Sequence, residues 1–247
     1  MEAGRLMSSV PRHDPSTLVM GRAKEEEAAA VLPRGVSLRV ALWCGVAYAL
    51  VQLGAVVYFT REVLAAKPPV NASPAEHALF YADHGAELLF GNWLLTLPVP
   101  LFLVFLGGLY VVLRRAEGTA AFSVAALVAG ATLAMIWPLG ALLSNLGVVI
   151  ARAGGDAATI WALDGMGPYT LALSALPRSV LLAAASIVLW RGDLVHRWIP
   201  ASGLALVPVM LAGSATPVAA VLFPLAAFGS AAAVLWILAV SVALLRS

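Results

Sequence analysis

Residues 167–190 read GPYTLALSALPRSVLLAAASIVLW, an apolar run with a single charged residue, Arg178, near its middle. About 18 or more apolar residues are enough to cross the roughly 30 Å of hydrocarbon in a bilayer. A charged side chain at the centre of such a helix costs at least about 2.5–3.5 kcal/mol on insertion scales. The stretch therefore predicts a transmembrane helix and, with it, a polar or charged partner for Arg178.

The composition of the whole chain is that of an integral membrane protein. Of its 247 residues, 62% are hydrophobic and 11% are charged, against about 45–50% and about 25% in soluble domains. The mean hydropathy is +0.93. So few charges do not cover a soluble surface of this size, which excludes a soluble enzyme. The net charge of +2 comes without a run of Lys or Arg, so no nucleic acid is expected as a partner.

Apolar runs of span length predict an all-α, polytopic transmembrane helical bundle of six spans. The predicted spans are residues 40–60, 88–113, 120–150, 167–190, 198–215 and 217–245. Residues 39–247 thus form the membrane domain, and the polar residues 1–38 are predicted to be a disordered cytoplasmic tail. The fifth span is short and includes Pro200 and Pro208, and a re-entrant pair is the alternative for the last two spans.

Positive residues predict the orientation, because Lys and Arg resist translocation and accumulate on the cytoplasmic side. With the N-terminus inside, the inner positive residues are Arg5, Arg12, Arg22, Lys24, Arg34, Arg39, Arg114, Arg115, Arg191, Arg197 and Arg246. The outer ones are Arg61, Lys67 and Arg152. We therefore expect both the N-terminus and the C-terminus to be cytoplasmic.

An amphipathic helix is predicted on the external side, over residues 74–87. Ser73, Pro74 and Glu76 have the spacing of an N-cap, a first-turn proline and a capping-box glutamate. Acidic residues fall on one side of this helix, with the histidines on the adjoining flank. The side expected to face the bilayer or the end of the bundle carries Ala75, Ala78, Leu79, Ala82 and Ala86.

Two histidines on that helix, His77 and His84, give the hypothesis of a metal site. Imidazole and carboxylate are suitable ligands for a divalent transition metal, and Asp156 or Asp164 of the next external loop would have to complete the set. A solvated acidic face that binds nothing is the stronger interpretation. Sensing of pH through the histidines is a third.

Arg178 needs compensation, yet the predicted span interiors contain no carboxylate. Under the predicted topology, polar side chains cluster in the outer half of the bundle, so we expect an outward-opening polar cavity with Arg178 at its floor. It would pair with Glu87 or hold an anionic head group. The candidate ligand-binding residues are Arg178, Glu87, Asn92, Asn145 and Asp164. The alternative is a structural role for Arg178 as a hydrogen-bond hub between helices.

The sequence lacks the residues that several known membrane-protein chemistries require. The predicted spans contain no histidine for a haem and no lysine for a retinal Schiff base. The chain has neither the His-Glu-x-x-His of a zinc protease nor the Gly-x-Ser-x-Gly of a serine hydrolase. No cofactor is therefore predicted. The expected partners are membrane lipids, with an anionic lipid or small anion as ligand, and a homo-oligomer through small-residue stripes is possible.

The pattern resembles a group of uncharacterised six-span integral membrane proteins from high-GC bacteria that carry a domain of unknown function. The elements that carry the resemblance are Ser73-Pro74-Ala75-Glu76, Phe80-Tyr81-Ala82-Asp83-His84, Arg114-Arg115, Arg191-Gly192-Asp193 and Trp198-Ile199-Pro200. The resemblance covers about residues 38–247 and implies a multi-pass helical bundle of the bacterial plasma membrane. It implies no catalytic residues.

These features favour a non-enzymatic membrane protein that handles a small molecule, lipid or ion, or acts as an accessory subunit. One alternative is a membrane-embedded enzyme on an anionic or lipid-linked substrate, with His84 or Glu87 as acid or base beside Arg178. The other is a membrane scaffold or sensor. The enzyme requires those three side chains to converge, whereas the scaffold requires no cavity at all.

Overall fold

The computed structural model describes residues 36–69 and 71–246, and within them the chain is helical without a β-strand. The α-helices in chain order are α1 (Val36–Tyr58), α2 (Pro74–Asp83), α3 (Gly85–Thr96), α4 (Val99–Ala116), α5 (Ala121–Arg152), α6 (Ala157–Arg191), α7 (Trp198–Ser214) and α8 (Phe223–Arg246). A π-helical segment, Phe59–Leu64, extends α1, and a 3-10 turn, Ala220–Leu222, precedes α8. Residues 1–35 of the predicted disordered tail lie outside the described residues, and residues 36–38 belong to α1.

A helical membrane bundle is confirmed in its coarse form. Five helical stretches are long and apolar enough to cross a membrane, namely Ser37–Leu64, Gly85–Ala116, Ala121–Arg152, Ala157–Arg191 and Ala220–Arg246. The predicted fifth span corresponds to α7, which is apolar but only 17 residues long, or about 26 Å at 1.5 Å per residue. By length and composition, the described chain thus contains five candidate spans and one shorter apolar helix.

The fourth predicted span begins much earlier in the structure than the sequence indicates. Asp156 caps α6, because its carboxylate accepts a hydrogen bond from the backbone N–H of Thr159 at 2.8 Å. The helix then continues through Pro168 and Pro177 to Arg191. Asp164, which we expected in an external loop, therefore lies in the helix and is buried.

Helix α6 forms the centre of the bundle and packs against α2, α4, α5, α7 and α8. It is also the most buried of the long apolar helices. Half of its buried residues are Ala or Ser, among them Ala172, Ser174, Ala175, Ala184 and Ala185. Small side chains let neighbouring backbones approach closely where lipid supplies no hydrophobic driving force between helices.

The small-residue stripe of α5 is used inside the chain. Ala126, Gly130 and Ala134 are all buried, and a Cβ at Gly130 would meet the side chain of Leu106 on α4 at 2.6 Å. This stripe is therefore occupied by α4 and is not a free surface for a second copy of the chain.

The predicted capping box of α2 is confirmed. The backbone N–H of Ser73 donates to the Glu76 carboxylate at 2.7 Å, and the N–H of Glu76 donates to Ser73 Oγ at 3.3 Å. The backbone hydrogen bond from Ser73, followed by that from its hydroxyl, lowers the pKa of the Glu76 carboxyl below its ordinary value. The stabilisation is thus present above the ordinary pKa and is lost as the pH falls through the lowered one.

The packed face of α2 differs from the expected one. His77, Phe80 and Tyr81 are buried, whereas Leu79 is 62% exposed. The alanines of the expected face contribute little area, so the two aromatic rings and the histidine decide which side faces the bundle.

Helices α7 and α8 form a hairpin that crosses at Gly213. A Cβ at this position would lie 2.6 Å from the backbone nitrogen and 2.7 Å from the Cα of Ala226. Backbone atoms cannot rotate away as a side chain does, so the crossing requires glycine.

We expect Gly213→Ala to destabilise the bundle by about 1–3 kcal/mol, the usual cost of overpacking. Gly107→Ala on α4 is the control, since nothing lies within 4 Å of its Cβ position. Thermal unfolding of both purified variants in the same detergent measures the difference. Equal melting temperatures would contradict the close crossing.

Candidate functional site

A cavity of about 360 Å³ lies among α1, α3, α5, α6 and α8. Its wall is mainly apolar and includes Leu53, Val56, Phe59, Val63, Leu64, Leu88, Leu95, Leu163, Leu171, Phe223, Ala227, Ala231 and Val234. This volume is at the small end of the roughly 300–1,000 Å³ of ligand pockets, which also combine an apolar wall with a few polar groups.

One wall of the cavity is a row at four-residue spacing along α1 and its π-helical extension. The row consists of Tyr48, Gln52, Val56, Thr60 and Leu64. Four residues overshoot one α-helical turn by about 40°, so the row winds gradually around α1. The wider π turn reverses this drift over the last step, from Thr60 to Leu64. Val56, Thr60 and Leu64 are exposed as well as lining the cavity, and they form its rim at the surface of the bundle.

Arg178 lies at the floor of this cavity and is 6% exposed. Its Nη1 donates to Ser230 Oγ at 2.5 Å, and its guanidinium carbon lies 5.4 Å from the ring centre of Trp137. Trp137 is itself fixed by a 3.0 Å hydrogen bond from its indole N–H to the carbonyl of Leu95. No carboxylate in residues 36–69 and 71–246 lies within ion-pair distance of Arg178. The guanidinium is thus held in place while its charge has no acidic partner in this part of the chain.

Gln52 adds a second unsatisfied group to the cavity wall. Its side chain is 2% exposed, and its Nε2 finds no hydrogen-bond partner within the described ranges. A buried donor without an acceptor costs about 1–3 kcal/mol. Tyr48 lines the same wall one helical turn before Gln52. The cavity wall therefore contains a buried donor, Gln52 Nε2, that has no acceptor among the described residues.

A charged cluster forms the opposite end of the cavity around Asp164. Lys67 Nζ lies 2.5 Å from Asp164 Oδ1, and the Tyr81 hydroxyl donates to the same oxygen at 2.9 Å. His77 Nδ1 lies 3.0 Å from Oδ2. This cluster, Lys67–His77–Tyr81–Asp164, joins the α1–α2 connection and α2 to the central helix α6.

The Tyr81 hydroxyl must be protonated to donate its hydrogen bond to Asp164. Burial, followed by the nearby charge of Asp164, raises the pKa of Tyr81 above its ordinary value. The hydroxyl therefore keeps its proton throughout the neutral range and acts as a donor to the carboxylate.

Four of the five predicted ligand-binding residues lie at or beside the cavity. Arg178, Asn92 and Asp164 line it. Asn145 does not, but its Oδ1 accepts a 2.8 Å hydrogen bond from Asn92 Nδ2 and so fixes that amide.

Glu87 does not belong to this site. It is exposed and absent from the cavity wall. The expected pairing of Glu87 with Arg178 is therefore wrong: α3 turns Leu88 into the bundle, and its neighbour Glu87 faces outward.

The two histidines have different neighbours. His77 is buried beside Asp164, and its Nε2 has no hydrogen-bond partner among the described residues. His84 stacks instead on Phe80, with the ring centres 5.0 Å apart. No group of three or more His, Cys, Asp or Glu side chains converges within residues 36–69 and 71–246 as a metal site would require. The metal hypothesis thus finds no ligand set there.

Sequence reasoning missed several residues of the site. Lys67 and Tyr81 bind Asp164, while Trp137 and Ser230 hold Arg178. Lys67 carried one available signal, since it is a positive residue on the side predicted to be poor in them. The other three belong to common packing residue types and stand out only once the helices are assembled.

Comparison with protein-family models, with curated proteins and with solved structures gives no match. The resemblance to uncharacterised six-span membrane proteins stays a prediction.

We expect Tyr81→Phe to destabilise the protein by about 1.5–3 kcal/mol, because it removes a hydrogen bond to a charged acceptor. Tyr169→Phe on α6 is the matched control, since Tyr169 is 44% exposed. The melting temperatures of the two variants in one detergent provide the measurement. A loss in Tyr169→Phe as large as that in Tyr81→Phe would contradict a specific role for the Tyr81 hydroxyl.

Proposed function

We propose that this chain is a non-enzymatic integral membrane protein that binds an amphipathic anion in the cavity floored by Arg178. One observation carries the proposal: a buried guanidinium without a carboxylate partner in the described residues faces an apolar cavity. A charge in such surroundings is costly unless an opposite charge joins it. An anionic ligand would provide that charge.

The anionic group and the apolar chain of the ligand contribute differently to binding. A lipid-derived molecule already resides in an apolar medium, so its chain gains little from the apolar wall. Affinity must then come mainly from pairing between the anionic group and Arg178, strengthened by exclusion of water. The apolar wall contributes shape and excludes polar competitors.

The rim supports entry from the membrane. Val56, Thr60 and Leu64 lie on successive turns and are exposed at the side of the bundle. A membrane lipid or another amphiphile would reach the cavity laterally through this rim. We accordingly assign the protein to the handling of a lipid or small amphiphile.

The acid or base predicted for the enzymatic alternative does not reach the site. It requires an acid or base beside Arg178, but Glu87 is exposed and neither Glu87 nor His84 lines the cavity. The residues that hold Arg178, Ser230 and Trp137, position the guanidinium and supply no general base.

The wider setting is part of the same proposal. We place the chain in the bacterial plasma membrane with six spans and both termini cytoplasmic, on the distribution of Lys and Arg between the loops. The Lys67–His77–Tyr81–Asp164 cluster then lies at the external end of the bundle.

Native mass spectrometry with co-purified lipid tests the binding function. We expect an anionic ligand on the native protein and at least a tenfold lower occupancy on Arg178→Gln. Ala227→Phe, which fills the cavity and keeps Arg178, should lose the ligand as well. Ala131→Phe is its control, since Ala131 is exposed and does not line the cavity.

Two results would overturn the binding function. One is a native protein that carries no anion under conditions that preserve lipid adducts. The other is an anion retained equally by folded Arg178→Gln and Ala227→Phe.

Cysteine labelling tests the number of spans. In a Cys44→Ala background, Val218→Cys should react with a membrane-impermeant maleimide in intact cells, because Val218 is 93% exposed in the α7–α8 connection. Gly154→Cys should react likewise, whereas Gly118→Cys should require permeabilised cells. A Val218→Cys that stays unreactive in intact cells while Gly154→Cys reacts would replace the fifth and sixth spans with a re-entrant pair.

A further inference from the structure

We infer that the amphipathic anion is a single-chain monocarboxylate, the class of the free fatty acids. This inference rests on the proposed function and specifies the chemistry of its ligand. Three independent features of the cavity carry it: its charge, its free donors and its size.

The charge at the floor favours a monoanion. Arg178 supplies one positive charge, and the other cationic lining residue, Lys67, is already paired with Asp164. Asp164 and Arg178 lie fourteen residues apart on α6, or about 21 Å along the helix axis. A carboxylate balances the single charge of Arg178, whereas a phosphomonoester dianion would leave one negative charge uncompensated in a medium of low dielectric constant.

The free donors favour a planar group with two oxygens. Nη1 of Arg178 is used by Ser230, and Nε and Nη2 form no hydrogen bond among the described residues. These two N–H groups lie on one edge of the guanidinium, the edge that binds a carboxylate through two parallel hydrogen bonds. Gln52 also lines the cavity, and its buried Nε2 has no acceptor in the part of the chain that the structure describes. A carboxylate has lone pairs enough to accept from both side chains.

The size and lining favour one chain. A cavity of about 360 Å³ with an apolar wall accommodates one chain rather than the two acyl chains of a phospholipid. The exposed rim at Val56, Thr60 and Leu64 lets a longer chain extend into the bilayer. The carboxylate would thus lie at the floor with the chain directed towards the rim.

Direct binding measurements test this inference. The probe is radiolabelled dodecanoate, added to the full chain in nanodiscs of phosphatidylcholine, with dodecyl phosphate and dodecanol as competitors. We expect saturable binding that dodecanol displaces at least tenfold less well than unlabelled dodecanoate does, with dodecyl phosphate intermediate.

Two variants test whether Arg178 and Gln52 bind dodecanoate. Arg178→Gln should weaken dodecanoate binding by at least a hundredfold, and Gln52→Leu by about tenfold. Thr132→Val on α5 is the control and should bind as the native chain does, because Thr132 is exposed and does not line the cavity.

The possible outcomes separate this inference from the proposed function. Tighter binding of dodecyl phosphate than of dodecanoate would overturn the inference that the ligand is a carboxylate. Loss of dodecanoate binding in phosphatidylglycerol nanodiscs would identify a two-chain lipid as the ligand instead. Both of those results leave the anion-binding function intact. An unaltered affinity in folded Gln52→Leu would remove Gln52 from the site. Absence of binding by every probe, together with a ligand-free native protein, would overturn both proposals.

Discussion

The buried charge of Arg178 is the constraint on which the rest of the site depends. A guanidinium in the middle of an apolar helix has to be fixed and solvated by its surroundings. Ser230 and Trp137 fix it from two neighbouring helices, yet neither supplies a negative charge. The cavity in front of the guanidinium is therefore the place where its remaining electrostatic demand can be met.

Helix α6 carries two charged residues that line the cavity, Asp164 and Arg178, and keeps them apart. Asp164 and Arg178 fall within about 40° of each other around the helix, so both face the cavity, but they lie about four turns apart. Each consequently has its own partners: Lys67, His77 and Tyr81 surround Asp164, and Ser230 and Trp137 contact Arg178. The separation prevents the two charges from neutralising each other and leaves the floor of the cavity available to an external anion.

Several features were predictable from the sequence because they depend on local chemistry. The span-length apolar runs, the capping box at Ser73 and the small-residue stripe of α5 require only spacing and residue type. The anomaly of Arg178 was visible for the same reason, since any charge within a long apolar run must find compensation. Asp164 was misplaced in a loop, because a glycine and proline stretch at residues 165–168 has the composition of a helix start, while the Asp156 cap and membrane packing begin the helix earlier.

The sequence by itself determined the membrane class, the positions of most helices and the presence of one charge in need of a partner. The tertiary structure decided which polar groups meet. Lys67 rather than Glu87 entered the site, His77 packed beside Asp164 while His84 stacked on Phe80, and Gln52 Nε2 found no acceptor among the described residues. The physical reason is rotation about the helix axes. A turn of one residue moves a side chain by about 100°, and large side chains on neighbouring helices, here Phe80, Tyr81 and Leu88, set that rotation only when the bundle is assembled.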